Sequence, residues 1–383
     1  MRFMSYSQCR VLIVDDHAHN RALLAALMEG MGIGQIEMAE NGLMAIEAVE
    51  RRSPDLILLD VMMPGMDGYA VCRKLRETWS QSELPILFVT ALDSPEDRAN
   101  CFTAGGTDMV AKPINAPEVS ARVGVHLQNR MLLERLRSYQ ERIGMELEAA
   151  RAIQENMTPA ASDLSALGKQ TGTRISVHAE TSSELGGDFW SLLPTADGKI
   201  RVLVADFAGH GVAAALNVVR LHTMFERSSP TAAPADVMAA LNQELKALLP
   251  PGQYATALYG LFDPDTGCFS YATAAAPPFW SVGPQGVTRI DASGPLLGAF
   301  SQADYDNAQV TIPAGSTLFI HSDALTESER DDKPVADEET LALWLAECAT
   351  SDDLPATIAH RFHQFLPGPP PDDLTLIGIR RTK

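Results

Sequence analysis

LILLDVMMPGMDG, residues 56–68, opens with an apolar run, Leu56–Leu59, that stops on an aspartate, Asp60. Similar short apolar runs stand at Arg10–Val14, Ile36–Ala39, Ile86–Thr90 and Met109–Ala111. Helical patterns such as His19–Met31 and Gly42–Arg52 fill the gaps. Strand–helix alternation at this spacing predicts a doubly wound α/β domain, with a five-stranded parallel sheet covered on both faces. Ligands of such sheets bind at the carboxyl ends of the strands. Asp15 and Asp16 close the first strand, Asp60 the third, Thr90 the fourth and Lys112 the fifth, so polar residues far apart in sequence converge on one rim.

Three carboxylates at one rim repel one another, and a divalent cation is the simplest resolution. A hard ion such as Mg²⁺ takes one or two carboxylates and keeps places for phosphoryl oxygens and water. Asp60 is then placed to act as a nucleophile and form an acyl phosphate. Lys112 supplies positive charge, and the Thr90 hydroxyl can bond the new phosphoryl oxygens. Through VLIVDDHAHN, LILLDVMMPGMDG, ILFVTAL and VAKPI, residues 1–125 resemble the CheY-like receiver domain of two-component response regulators. The resemblance implies Mg²⁺ held by Asp15, Asp16 and Asp60, phosphorylation of Asp60 by a cognate histidine kinase, Thr90 as the switch hydroxyl, and a cis bond before Pro113. It departs at Met109, where the family carries an aromatic switch residue.

The whole chain, at 383 residues, is too long for one ordinary core. Its 46% hydrophobic content predicts globular domains joined by a connector. No apolar stretch approaches the roughly 20 residues of a membrane span, and Val11–Val14 is too short for a signal-peptide core. The five cysteines are scattered and lack metal-type spacing, so they read as buried thiols in a reducing cytoplasm. Residues 1–125 carry 11 basic and 17 acidic groups, 126–157 carry 5 and 5, and 158–383 carry 14 and 27. Nucleic acid is excluded as a partner, because phosphate binding needs clustered Lys and Arg.

Residues 126–157 form a helical linker between the first domain and a second at 158–383. With Leu132 as d, the a/d positions are Val125, Asn129, Leu132, Leu136, Tyr139, Ile143, Glu146, Ala150, Ile153 and Met157. Eight of these are apolar or aromatic, which predicts a two-stranded coiled coil and a homodimer, with a single amphipathic helix packed on its own domains as the alternative. Asn129 at an a position favours a parallel pair in fixed register, and Glu146 at d works against the seam.

Beyond Pro159, strand-like runs are separated by turns: Arg174–Glu180, Lys199–Asp206, Tyr254–Phe262, Cys268–Thr273, Thr317–His321 and Leu374–Arg380. Helical patterns interrupt them at Val212–Phe225 and Ala235–Leu248, and Asp263–Gly267 reads as a hairpin turn. The expected class is α+β, with sheets packed under helices. Asp188 follows Gly186–Gly187, Asp206 and Asp323 end apolar runs, and Asp372 opens the last strand. Carboxylates in such places suit hard metals with open water positions. Two ions can lower the pKa of a shared water and clamp phosphoryl oxygens.

ELGGDFW, VADFAGHG, LHTMFER with LNQEL, YATALYGLFD, HSDALTE and PDDLTLIGIR are similar to the PPM-type serine/threonine phosphatases of the SpoIIE-like branch. That resemblance implies an α+β phosphatase sandwich with two Mn²⁺ or Mg²⁺ ions bridged by Asp206. The Phe207 carbonyl assists, Asp323 and Asp372 complete the second ion's shell, and Asp188 acts through a coordinated water. His210 reads as a turn-stabilising residue ahead of a proton-transfer role. The substrate it implies is a phosphorylated anti-sigma-factor antagonist of the STAS type. The family's Ala-Gly-His is Ala274–Ala275–Ala276 here, its Thr-Asp-Gly is Ser322–Asp323–Ala324, and a further Asp is Ser191. Two readings follow: a response regulator whose output is a metal-dependent phosphatase, or a non-catalytic adaptor that uses a degenerate phosphatase fold to bind a sigma-factor pathway protein.

Overall fold

The computed structural model describes residues 5–91, 94–209, 211–330 and 333–382. It divides into two compact units, Met1–Ile143 and Gly144–Lys383. In the first unit the predicted runs form β1 (Arg10–Val14), β2 (Gln35–Ala39), β3 (Leu56–Asp60), β4 (Ile86–Thr90) and β5 (Asp108–Ala111), with α1 (Ala18–Gly30), α2 (Gly42–Arg51), α3 (Gly68–Arg76), α4 (Pro95–Thr103) and α5 (Ala116–Glu155) between and after them. The strands are parallel in the order β2-β1-β3-β4-β5. Alternate strand residues feed two cores. Leu12, Val14, Ile57 and Leu59 pack with α2 and α3, while Val11, Ile13, Leu56 and Leu58 pack with α1 and the first turns of α5. Two covered faces are why β1, β3 and β4 read as unbroken apolar runs.

The end of the opening stretch is fixed by sterics. The chain doubles back after β3, so that the Gly68 amide donates to the Val61 carbonyl at 2.9 Å. A Cβ on Gly68 would stand 2.2 Å from the Asp60 carbonyl oxygen, a contact no side chain tolerates. Asp67 then caps α3, accepting from the Ala70 amide at 2.7 Å.

Val119, Val123 and Leu127 anchor α5 in the first unit's core. Farther along, Val125, Leu132, Leu136, Tyr139 and Ile153, all predicted seam positions, are each more than half exposed.

The second unit starts with α6 (Ala161–Thr171), β6 (Thr173–Glu180), β7 (Asp188–Pro194), β8 (Ile200–Phe207), α7 (Val212–Arg227), α8 (Pro234–Leu248), β9 (Ala255–Phe262) and β10 (Cys268–Ala274). It continues with β11 (Phe279–Gly283), β12 (Gly286–Ile290), β13 (Ala308–Thr311), β14 (Thr317–His321), α9 (Ala324–Glu327), β15 (Glu329–Arg330), β16 (Lys333–Pro334), α10 (Glu338–Glu347), α11 (Leu354–Phe365) and β17 (Leu374–Arg381). Two antiparallel sheets, β13-β10-β9-β8-β7 and β12-β11-β14-β17-β6, stack over one core that includes Val202, Val204, Leu258, Phe269, Leu318, Ile320 and Ile377. The opposite faces are covered by α7 and α8 on the first sheet and by α10 and α11 on the second. β8 shows the cause in miniature: Val202 and Val204 point into the sandwich, while Leu203, Ala205 and Phe207 meet the helices. The predicted hairpin turn joins β9 to β10, with Gly267 at φ 76°.

Cys9, Cys72 and Cys101 are buried, but Cys268 and Cys348 are only partly so, which corrects the expectation that all five are buried thiols. Among the described residues no helix is long and apolar enough to cross a membrane.

Candidate functional site

The parallel register brings the first aspartate set together. Val14 is level with Leu59, Asp60 with Val89, and Thr90 with Ala111, so the loops after these strands open on the same rim. Asp15, Asp60 and Thr90 are buried there. Lys112 Nζ donates to Asp15 Oδ2 at 2.9 Å and lies 3.0 Å from Asp60 Oδ2. Asp15 also accepts from the His17 amide at 2.8 Å and from Asn20 Nδ2 at 3.0 and 3.1 Å. Burial pushes the Asp60 carboxyl above its ordinary pKa, with the Asp15 charge adding to it, while Lys112 pulls it down. Burial works against the Lys112 charge, yet its bonds to Asp15 and Asp60 leave its pKa raised. The Lys112–Pro113 bond is cis, as the resemblance implies.

The second set meets where both sheets of the sandwich end. Asp188, the first residue of β7, lies directly across from Asp206 on β8. Asp323 follows β14 and Asp372 precedes β17, its neighbour in the other sheet. Burial raises Asp206 to about 8, and the charges that add to it are Asp323, Asp372, Asp373 and Glu327. Asp323 rises to about 6 through burial, then Glu327 and Asp372. Asp188 rises well above the carboxylate range through burial and then Asp206, although Thr375 Oγ1 donates to its Oδ2 at 2.5 Å.

Among the described residues no cation pairs with these acids, and an all-oxygen donor set suits a hard cation. The Asp206, Asp323 and Asp372 carboxylates with the Phe207 carbonyl are donors of the type Mn²⁺ or Mg²⁺ takes, but the three carboxylates do not place ligand atoms within 4.8 Å of one another, so a shared ion would draw them together. Gly187 makes room for this edge, since a Cβ there would stand 3.1 Å from the Phe207 carbonyl oxygen. On the receiver rim, Asp15, Asp16 and His17 bring ligand atoms within 4.8 Å of one another, which fits a divalent ion, while the expected ligand Asp60 is not part of that set.

The two adjacent acids before β17 divide the work. Asp372 is exposed, whereas Asp373 is buried and holds the loop ahead of β7. Its Oδ1 accepts from the Ser182 amide at 2.7 Å and the Ser182 hydroxyl at 3.1 Å, and its Oδ2 from the Gly187 amide at 2.5 Å. Gln154, near the end of α5, grips the same loop: its Nε2 donates to the Gly186 carbonyl at 2.7 Å, and its Oε1 accepts from the Gly186 amide at 3.2 Å.

Residues 11–124 match the family model of the response regulator receiver domain, and residues 196–382 match that of Stage II sporulation protein E (SpoIIE). The chain joins a receiver domain to a SpoIIE-type phosphatase domain. The SiaA-PP2C domain of Pseudomonas aeruginosa has the same fold as the second unit: TM-score 0.56, 21% identity, 63% of this chain and 98% of that one. Response regulator PleD of Caulobacter vibrioides is 38% identical over 128 residues, covering 33% of this chain and 28% of PleD. Response regulator MprA of Mycobacterium leprae is 41% identical over 116 residues, 30% of this chain and 49% of MprA. The chain thus spans less than half the length of these curated relatives.

Backbone geometry separates the altered phosphatase motifs. Ala324 starts α9 in ordinary helical backbone, so the alanine in place of the family's glycine strains nothing. Ser322 is used fully, with its hydroxyl donating to the Asp373 carbonyl at 2.9 Å and accepting from the Thr375 amide at 2.9 Å. Ala275 is different. It is the one non-glycine among the described residues at positive φ, 48°, where the family carries glycine. Ser191 is buried within β7, opposite Leu203. In the receiver domain Met109 is buried in the β4–β5 region of the core. His210 lies outside the described residues.

Sequence reasoning missed Asn20, Gln154, Thr375 and the role of Asp373. Each acts through a partner at least five residues away, and their own surroundings carry no local pattern that marks them.

Proposed function

We propose that this chain is a response regulator in which phosphorylation of Asp60 controls a metal-dependent protein-serine/threonine phosphatase. In the receiver domain a carboxylate oxygen of Asp60 attacks the phosphorus of a phosphohistidine on a cognate kinase. The new O–P bond replaces the N–P bond, and the imidazole leaves. Lys112 and Thr90 are positioned to meet the phosphoryl oxygens, and Asp15 and Asp16 with Asp60 would hold Mg²⁺.

The phosphatase half of the reading rests on one observation: Asp188 and Asp206 face each other across a strand pair while Asp323 and Asp372 raise the charge around them. Asp206, the Phe207 carbonyl, Asp323 and Asp372 would hold two Mn²⁺ or Mg²⁺ ions. When bound, such ions supply a water of lowered pKa and positive charge for phosphoryl oxygens. Thr375 orients Asp188, and Asp373 keeps the Ser182–Asp188 loop in place. The SpoIIE match supports a phosphorylated STAS-type anti-sigma-factor antagonist as the substrate. Exposed seam residues on α5 support a homodimer, and the Gln154 grip on Gly186 gives that helix a handle on the catalytic loop.

The test is hydrolysis of p-nitrophenyl phosphate and of a phosphorylated antagonist with Mn²⁺, in wild type and Asp206→Asn. A rate present in wild type and lost in the variant is the expected result. Equal background rates in both would remove the enzyme reading and leave the adaptor, which the strained Ala275 keeps in play. Beryllofluoride should change the wild-type rate, and an identical response in Asp60→Ala would remove the switch.

A further inference from the structure

Outside both aspartate sets, though beside the second, two imidazoles converge on one carboxylate. His178 and Glu180 stand two apart on β6, so they share a face of that edge strand. Helix α11 packs there and brings His363 to the same point. Glu180 Oε1 lies 2.5 Å from His178 Nε2, and its two oxygens lie 3.1 and 3.0 Å from His363 Nε2. The other His363 nitrogen, Nδ1, faces the Leu366 carbonyl oxygen at 3.3 Å. A carbonyl only accepts, so Nδ1 carries the proton and Nε2 of the neutral ring is a lone pair aimed at a carboxylate that also only accepts. Two acceptors 3.0 Å apart need a positive centre between them.

We propose that His178, Glu180 and His363 form a binding site for a borderline transition-metal ion of the Zn²⁺ class, separate from the carboxylate cluster around Asp206. Two imidazoles and one carboxylate favour such an ion over Mg²⁺ or Mn²⁺. The Leu366 carbonyl does what outer partners of metal-bound histidines do, fixing the tautomer and the ring orientation. Ligand atoms bound tetrahedrally at about 2.0–2.1 Å stand roughly 3.3 Å apart. The Glu180–His363 spacing is already close to this, the Glu180–His178 spacing has to open by less than about 1 Å, and all three ligand atoms lie within 4.8 Å of one another. The three side chains are 26–32% exposed, which leaves an entry path and a fourth position for water. Glu180 is two residues ahead of Ser182, so an ion here would also tether α11 to the strand from which the Asp373-bound loop departs.

The competing occupant of the gap is a second proton on His363, and metal titration separates the two. The 383-residue chain is stripped with chelator and titrated with Zn²⁺, then Co²⁺, in excess Mg²⁺ to keep the all-oxygen sites filled. Wild type is expected to bind one Zn²⁺ that resists Mg²⁺ and to show the visible absorption of low-coordinate Co²⁺. His178→Gln and His363→Gln should each weaken this binding more than about 100-fold, beyond the range of an outer-partner change. Zn²⁺ binding and Co²⁺ spectra unchanged in both variants, or no Mg²⁺-resistant binding in wild type, would overturn the site. Circular dichroism checks folding, and Glu180→Gln carries the test if either histidine variant misfolds.

Discussion

Replacing Asp206 with Asn should stabilise the metal-free protein at high pH and remove its stabilisation by metal. Burial and three neighbouring aspartates raise Asp206 to about 8, against 3.8 for the free carboxyl. The sign follows from linkage: a carboxyl raised in the folded state favours the fold while protonated, and that contribution is lost as pH climbs from about 4 through about 8. At about 1.4 kcal/mol per unit, the ionised Asp206 costs at most about 5 kcal/mol at pH 8. Relaxation of the cluster and water entry reduce this, so Asp206→Asn should gain about 1–3 kcal/mol there and less at pH 5. For a unit of this size that is roughly 2–12 °C in Tm. Three of the four tryptophans, Trp190, Trp280 and Trp344, belong to the second unit, so fluorescence melts report mainly on it. The comparison is wild type against variant, with chelator, at pH 5 and pH 8. Mn²⁺ should then reverse the order, raising the wild type and leaving the variant unmoved. A metal-free variant no more stable than wild type at pH 8 would refute the idea that these acids repel one another across the site.

Three further outcomes are expected. Ala275→Gly relieves a left-handed backbone that costs a side chain about 1–2 kcal/mol, offset by glycine's freedom in the unfolded chain, so a net gain of about 0.5–1 kcal/mol should appear in urea melts. Asp373→Ala leaves the Gly187 and Ser182 amides without their acceptor, at about 1–3 kcal/mol per orphaned donor, and the second unit's melt should fall accordingly; Asp373→Asn, which keeps one acceptor oxygen, should fall less. Leu136→Glu puts a charge on the exposed seam of α5, and sedimentation velocity should show a dimeric wild type shifted toward monomer; a wild type that is already monomeric removes the coiled-coil reading.

Much of this protein was legible in the chain itself. Apolar runs ending in Asp15, Asp60 and Thr90 predict a parallel sheet and its rim, because strand period and chain direction place those residues without any long-range information. The antiparallel domain was less open to reading. β7, β11, β12, β13 and the two-residue β15 and β16 lie outside the expected runs: β7 follows a glycine pair and holds a serine and an aspartate, and β11 follows two prolines, so their strand character comes from partners in the sheet. The carboxylates Asp188, Asp206, Asp323 and Asp372 were legible because each sits at a strand end with its own local signature.

Tertiary structure alone decided what surrounds them. That Asp188 faces Asp206, that Asp373 rather than Asp372 is the buried loop anchor, and that Gln154 reaches Gly186 all depend on registers and packing set by segments up to 191 residues apart. The same holds for the motif changes. Sequence marks Ala275 and Ala324 alike as lost glycines, but only the backbone tells them apart: one is held at positive φ and the other sits in a helix. Residue type fixes which chemistry is available, and the fold fixes which groups share a charge, a hydrogen bond or an ion.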